Sequence, residues 1–292
     1  RIIAPNGPTA GKLVRPSDLK SPKRIAMIQC VGSRSADSNP YCSAGVCCMT
    51  AVKNARYIKH YYPESDITIY YIDIRTPNRE NEWYYKEARN SGVSFVRGKV
   101  AEVAEDPDTK NLVLSSEDTL TGEVLETEVD LLVLSTAMVP PDKQDELRGI
   151  LKLERASDGF LKEFHLCLAP VDTKKLGIYI AGVAQGPKSI PEAVASAKGA
   201  ASAAETPIIN EQVEIELVRA IVDEPRCSGC GLCVEICPYS AITMKNKVAV
   251  VDEVYCRGCG ACAAICPSSS ITLRHYTDEQ YEAYIDALFV EQ

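Results

Sequence analysis

The chain has 292 residues, room for about two domains, and its 46% hydrophobic and 25% charged residues describe a core-forming protein, not a disordered one. A net charge of −8 with no dense Lys/Arg block excludes nucleic acid as a partner, because phosphate binding needs clustered cations. Thirteen cysteines are too many for a reduced enzyme to keep idle. A disulfide framework fits poorly, since eight of them fall in two tight C-x-x-C-x-x-C-x-x-x-C runs.

Residues 1–22 are rich in Pro, Gly and Ser, follow an initial Arg1 with no targeting segment, and read as a connection from a missing or separate N-terminal half. Arg24 to Val31 is a short apolar run and is expected as a buried strand. Helical spacing follows from Cys47 to Tyr62 and is closed by Pro63. The alternating, β-branched run Asp66 to Ile74 is a strand, and residues 80–90 form a helix stopped by Gly92. Strand signals recur at 93–97, 99–104, 111–115 and 123–128, and Asp130 to Ser135 is a further buried strand. Gly177 to Val183 is expected as another buried strand, followed by a small-residue helix from Ser189 to Ala204. Residues 205–224 are a linker with an edge element, and Thr277 to Val290 is an amphipathic helix, either a clasp over the preceding module or a docking surface. Strands and helices alternating around a small antiparallel excursion indicate a doubly wound α/β domain. No apolar stretch reaches the roughly 18–20 residues that span a bilayer. The longest, Leu131 to Val139, stops at Pro140 and Pro141, so no membrane span and a reducing, cytoplasmic setting are expected.

One internal repeat organises the C-terminal quarter. Val222–Ile242 aligns without gaps to Val251–Ile271, with 13 of 21 positions identical. Three thiolates of a C-x-x-C-x-x-C loop converge on one [4Fe-4S] cube, while the fourth cysteine, followed by proline, reaches the other cube. Cluster one is therefore expected on Cys227, Cys230, Cys233 and Cys266, and cluster two on Cys256, Cys259, Cys262 and Cys237. Gly229, Gly231, Gly258 and Gly260 let backbone N–H groups approach the cluster sulfides. Structural zinc would use paired knuckles instead of a triplet plus a Cys-Pro. This segment, residues 222–273, resembles the bacterial-type two-cluster ferredoxins.

Cys30 ends the first strand, and Cys42, Cys47 and Cys48 stand at the entrance of the next helix, where strand ends gather ligands and the helix N-terminus favours negative charge. A third [4Fe-4S] cluster and a set of reactive thiols are both open on spacing alone. Cys167 reads as an ordinary thiol, and His60, His165 and His275 are isolated. The turn AGVAQGP at 181–187, between a strand and a helix, could present N–H groups to the ribityl or pyrophosphate region of a flavin, with Gly182, Gly186 and Gln185 placed for it. On the motif alone, an ordinary strand–turn–helix in an α/β core is the plainer reading.

IQCVGSR, PYCSAGVCCMTAVKNA, GIYIAGVAQGPKSIPEAV and the two-cluster module together resemble the C-terminal half of the A-type subunit of heterodisulfide reductase, from about residue 12 onward. The resemblance implies a partial thioredoxin-reductase-like FAD domain at 23–205, a two-[4Fe-4S] ferredoxin-like domain at 206–276 and a C-terminal helix at 277–292. It implies a third cluster on Cys30, Cys42, Cys47 and Cys48, with Lys53 and Lys188 near the flavin. The loop between Cys42 and Cys47 is one residue longer than the family pattern. The chain lacks G-x-G-x-x-G, so the resemblance implies that FAD is shared with a partner chain carrying that half. The implied function is an oxidoreductase subunit passing electrons between FAD and clusters, with flavin-based bifurcation. Implied partners are other heterodisulfide-reductase-like subunits, a hydrogenase- or formate-dehydrogenase-type donor, and ferredoxin. A flavin-free relay, or a related quinone-interacting or benzoyl-CoA-reductase-type complex, are the rival readings.

Overall fold

The computed structural model describes residues 3–212 and 215–289. Residues 1–2 of the expected connection, 213–214 of the expected linker and 290–292 at the end of the expected terminal helix lie outside them. The chain divides into two compact units, one of residues 1–142, 156–160 and 182–194, the other of 143–155, 161–181 and 195–292.

The first unit runs β1 (Arg24–Val31), α1 (Val46–Tyr61), β2 (Asp66–Tyr71), α2 (Arg79–Asn90), β3 (Ser94–Arg97), β4 (Val100–Glu105), β5 (Leu112–Asp118), β6 (Glu123–Val129) and β7 (Leu131–Thr136). Four of these strands form a parallel sheet in the order β3-β2-β1-β7, with Met27 beside Ile69 on one side and Val133 on the other. Strand side chains alternate between faces. Ile25, Met27, Ile67 and Ile69 therefore pack on one face against Val52, Ala55 and Ile58 of α1 and Ala88 of α2. Ala26 and Tyr70 on the other face pack against Leu114 and Val129 of the antiparallel sheet β4-β5-β6. The expected α/β class is observed, with the antiparallel excursion serving as the third layer. Asp130 aligns the sheet at its lower end. Its Oδ2 accepts from the N–H groups of Lys23 (2.8 Å) and Arg24 (2.9 Å), and its Oδ1 from the Arg24 guanidinium (3.0 Å).

The second unit contains α3 (Gln144–Leu151), a helix the sequence reading did not foresee, and most of α4 (Ile190–Asn210). The expected strand at Gly177–Val183 does not form. A strand needs a ladder partner, and here only Tyr179 bridges Asp172, with Ile180 N–H donating to Val171 O at 2.8 Å, before a 3-10 turn begins at Gly182. Helix α4 runs past Ala204 to Asn210, through Pro207. Interior proline costs about 3 kcal/mol relative to alanine, and Pro207 falls in the final turn, close to the helix end at Asn210.

The C-terminal module follows the internal repeat: β8 (Ala220–Val222), α5 (Leu232–Ile236), β9 (Ile242–Lys245), β10 (Val248–Val251), α6 (Ala261–Ile265), β11 (Ile271–Leu273) and the terminal α7 (Asp278–Phe289). β8 pairs with β11, and β9 with β10 through a two-residue turn in which Asn246 and Lys247 both take positive φ, the primed geometry that suits hairpin twist. No described residue of α7 is buried, so this helix is not a clasp over the module.

Candidate metal centres

The two repeats build two cavities, each lined by four cysteines. One is lined by Cys227, Cys230 and Cys233 from the first repeat and Cys266 from the second. The other is lined by Cys256, Cys259 and Cys262 from the second and Cys237 from the first. The crossing arises because each short helix, α5 or α6, carries its final cysteine away from the loop that holds the preceding three. Ser240 N–H then donates to Cys237 O and Ser269 N–H to Cys266 O, both at 3.2 Å, so the turns after the two crossing cysteines are built alike.

The donors around these thiols suit thiolate charge. Ala241 N–H donates to Cys237 Sγ (3.3 Å), Ala220 N–H to Cys256 Sγ (3.4 Å) and Ser270 N–H to Cys266 Sγ (3.4 Å). The Ser270 hydroxyl also lies 3.2 Å from Cys266 Sγ. Burial pushes the Cys266 thiol up, but donors from Ser270 and Ser268 outweigh it and leave it at about 7. Burial pushes Cys262 up to about 11 and raises Cys233 as well. Such thiols give up their protons most readily when a metal replaces them. Among the described residues no three His, Cys, Asp or Glu side chains close on a single-ion point. Zinc would need that tight tetrahedral group, whereas a cubane spreads its four thiolates over four irons. The residues fit the cubane.

In the first unit the structure gathers the other four candidate thiols. Cys30 sits at the end of β1 with φ +59°, where the β1–β7 register shifts, and this bulge re-aims its side chain. Cys47 and Cys48 occupy the first turn of α1, whose Gly45 cap has φ +78°. Cys30 feels the charge of Cys48 and Cys42, and Cys47 that of Cys48, Cys30 and Cys42. Burial raises the Cys30 thiol, with Cys48 and Cys42 adding to it and Arg34 opposing. The Cys47 thiol donates toward Cys48 and so lowers the Cys48 thiol, against burial. Arg34 is the residue the sequence reading missed here. Its Nη2 donates to Asp73 Oδ2 at 2.7 Å, its buried Nη1 has no protein partner among the described residues, and Asp73 O accepts from Cys48 Sγ at 3.8 Å. The loop between Cys30 and Cys42 is tied down by Asn39 Nδ2 to Gly32 O (2.8 Å) and Tyr41 OH to Met138 O (3.1 Å).

The same unit holds a cleft of about 980 Å³ lined by Val46, Met49, Thr50 and Lys53 of α1, by Arg79 to Asn81, Trp83 and Tyr84 of α2, and by Ser189 to Pro191. That volume suits a cofactor-sized ligand. Lys53 thus lines the cleft. Lys188 directly precedes its Ser189 wall. Gly182, Gln185 and Gly186 form the preceding turn, where Gln185 N–H donates to Gly182 O and Gly186 N–H to Val183 O, so these N–H groups close the turn. The α4 N-terminus is closed in the same way: Glu192 Oε2 accepts from Ser189 N–H (2.7 Å) and its hydroxyl (2.6 Å). His165 proves to be a turn former, its Nδ1 accepting from the N–H groups of exposed Cys167 (3.2 Å) and of Leu168 (3.1 Å).

Residues 226–270 match a family model described as a 4Fe-4S dicluster domain, and the chain carries two [4Fe-4S] clusters there. Over 99% of its length the chain is 50% identical to the A-type iron-sulfur subunit of the CoB–CoM heterodisulfide reductase of Methanocaldococcus jannaschii, of which it covers 45%. It is 52% identical, again over 99% of its length, to the A-type subunit of the H(2)/formate:CoB-CoM heterodisulfide,ferredoxin reductase of Methanococcus maripaludis, of which it covers 44%. The chain therefore spans less than half the length of these curated relatives. Among solved structures, the thioredoxin reductase of Lactococcus lactis aligns with 64% of this chain and 53% of its own, at a TM-score of 0.43 and 18% identity.

Proposed function

We propose that the chain corresponds to the C-terminal half of the A-type subunit of heterodisulfide reductase, to which it is about half identical along nearly its whole length, and that it is an iron–sulfur electron-transfer subunit of a heterodisulfide-reductase-like complex. The observation that supports this best is the pair of four-thiol cavities with exchanged fourth ligands, an arrangement that holds two redox groups side by side in one small module. Bound [4Fe-4S] clusters supply one-electron transfer, and a bound flavin exchanges electrons singly or in pairs.

This chain's residues supply position and electrostatics. The eight module cysteines hold the two clusters, and N–H donors from Ala220, Ala241 and Ser270 offset thiolate charge. Cys30, Cys42, Cys47 and Cys48 hold a third cluster. FAD takes the cleft between α1 and α2, where Trp83, Tyr84 and Met49 offer apolar surface and Lys53 a cation that favours reduced, anionic flavin. Gly182, Gln185, Gly186 and Lys188 border that ligand. No G-x-G-x-x-G occurs in these 292 residues, and in this proposal a partner chain supplies that loop to cradle the pyrophosphate. The Methanococcus maripaludis relative is named for H2/formate, the heterodisulfide and ferredoxin. The proposal accordingly includes other reductase subunits, a hydrogenase- or formate-dehydrogenase-type donor, ferredoxin as acceptor, and bifurcation at the flavin. Thirteen cysteines outside any disulfide suit a reducing compartment such as the cytoplasm, and no described helix is long and apolar enough to cross a membrane.

The test is an anaerobic purification of the native complex with iron, acid-labile sulfide and flavin counted per chain. About eight irons from the module, about four more from the Cys30 site, and bound flavin are expected. Zinc in place of iron and sulfide would refute the redox reading. Iron without flavin would reduce the chain to a relay.

A further inference from the structure

The module's two halves are similar in sequence and in backbone, yet their surroundings differ in charge. Cys266, a ligand of cluster one, is followed by Ser268 and Ser270, whose hydroxyls reach its sulfur at 3.6 and 3.2 Å. The matching positions after Cys237, a ligand of cluster two, are Ala241, which has no hydroxyl, and Tyr239, whose backbone oxygen accepts from Lys175. Cluster two has a cation instead. Lys175 comes from outside the repeat, and its Nζ donates to Tyr239 O at 2.7 Å and stands 5.4 Å from the Tyr255 ring centroid. It is thereby held against the residue two past Cys237 and the residue just before Cys256. Among the described residues Lys175 has no carboxylate in ion-pair range, whereas its neighbour Lys174 is paired with Glu154.

We propose that Lys175 is a positioning residue that sets the reduction potential of the cluster held by Cys237, Cys256, Cys259 and Cys262, making the two stations of the relay electrically distinct. Reduction adds one electron and no proton to the cluster. A fixed, unpaired cation nearby stabilises that added charge and so raises the potential. Burial and the neighbouring Lys152 ammonium lower the Lys175 ammonium below its ordinary value, and the negative charge at Cys237 opposes them.

Redox titration of the anaerobically purified complex, followed by EPR, tests this. Lys175→Met should move one of the module's two reduction waves to lower potential and leave the other in place, with Lys175→Arg restoring it. Ser270→Ala should lower the other wave, and Lys174→Met should shift neither. Iron and acid-labile sulfide per chain, equal to wild type, certify that the clusters are intact. If K175M loses iron, the comparison is read from K175R and K175Q at full iron content. The proposal is overturned if a fully loaded K175M or K175Q leaves both waves unmoved, if K174M shifts the same wave as far, or if S270A and K175M act on one wave.

Discussion

A methyl group added to Gly258 would lie 2.4 Å from the Val218 carbonyl oxygen, in a backbone already at φ +61°. Gly229, its counterpart in the other repeat, would meet Lys247 O at 2.6 Å with φ +71°. Neither contact can be relieved by a rotamer change, because both obstacles are backbone. Gly258→Ala should therefore displace the loop carrying Cys256 and Cys259 and lose cluster two, lowering iron by about four per chain with cluster one retained; iron analysis and EPR check it. The sequence indicated that these glycines permit close approach, but cluster sulfides were the expected neighbour. The colliding carbonyls belong to segments 18 to 40 residues away in the chain, and local spacing carries no signal of them. Arg34 was invisible for the same reason: its partner Asp73 and the thiols it faces meet only after β1, α1 and β2 have packed.

At the scale of the element, the parallel sheet is the part most plainly written in the chain. β1 to β7 lie within a few residues of the apolar and alternating runs that indicated them; burial supports the pattern most in β1 and β2 and least in β4, which is almost wholly exposed. Met27, 1% exposed on the α1 face, should cost about 2–5 kcal/mol when changed to Ala, measured by denaturant unfolding, since it leaves a cavity between sheet and helix. Asp130 gives a pH signature. Burial pushes its carboxyl up, but the N–H groups of Arg24 and Lys23 and the Arg24 guanidinium outweigh it, so it falls below its ordinary 3.8. With the folded value depressed, its stabilisation is full above about pH 4 and is lost as pH falls through the folded value. Asp130→Asn should flatten the acid limb of the stability-versus-pH curve; an unchanged limb would refute the assignment. The Gly177–Val183 run shows where pattern misleads. It has the composition of a buried strand, but no described neighbour offers it a ladder, and hydrogen-bond partners are a tertiary property.

For the molecule as a whole, the two units draw stability from different sources. The first has a sheet core of Ile, Val, Met and Tyr. The core of the module instead counts Cys233, Cys256 and Cys262 among its buried residues, with small Ala220, Ala241 and Ala249 beside Ile242 and Ile271. So small an apolar core depends on its ligands being joined by metal. Chelating iron under anaerobic conditions should abolish amide-exchange protection in β8 to β11 while β1, β2 and β7 keep theirs. Equal loss in both would show that the module does not depend on its clusters separately. Thiol number, spacing and the sharing of each four-cysteine cavity between the two repeats could be read from the residue order alone, because they are set by short loops that a repeat of 21 positions displays in full. The surroundings of those thiols, among them the Lys175 cation, the Arg34–Asp73 pair and the backbone carbonyls that forbid a side chain at Gly229 and Gly258, came from folding, since each joins segments distant in sequence whose approach depends on how the layers pack.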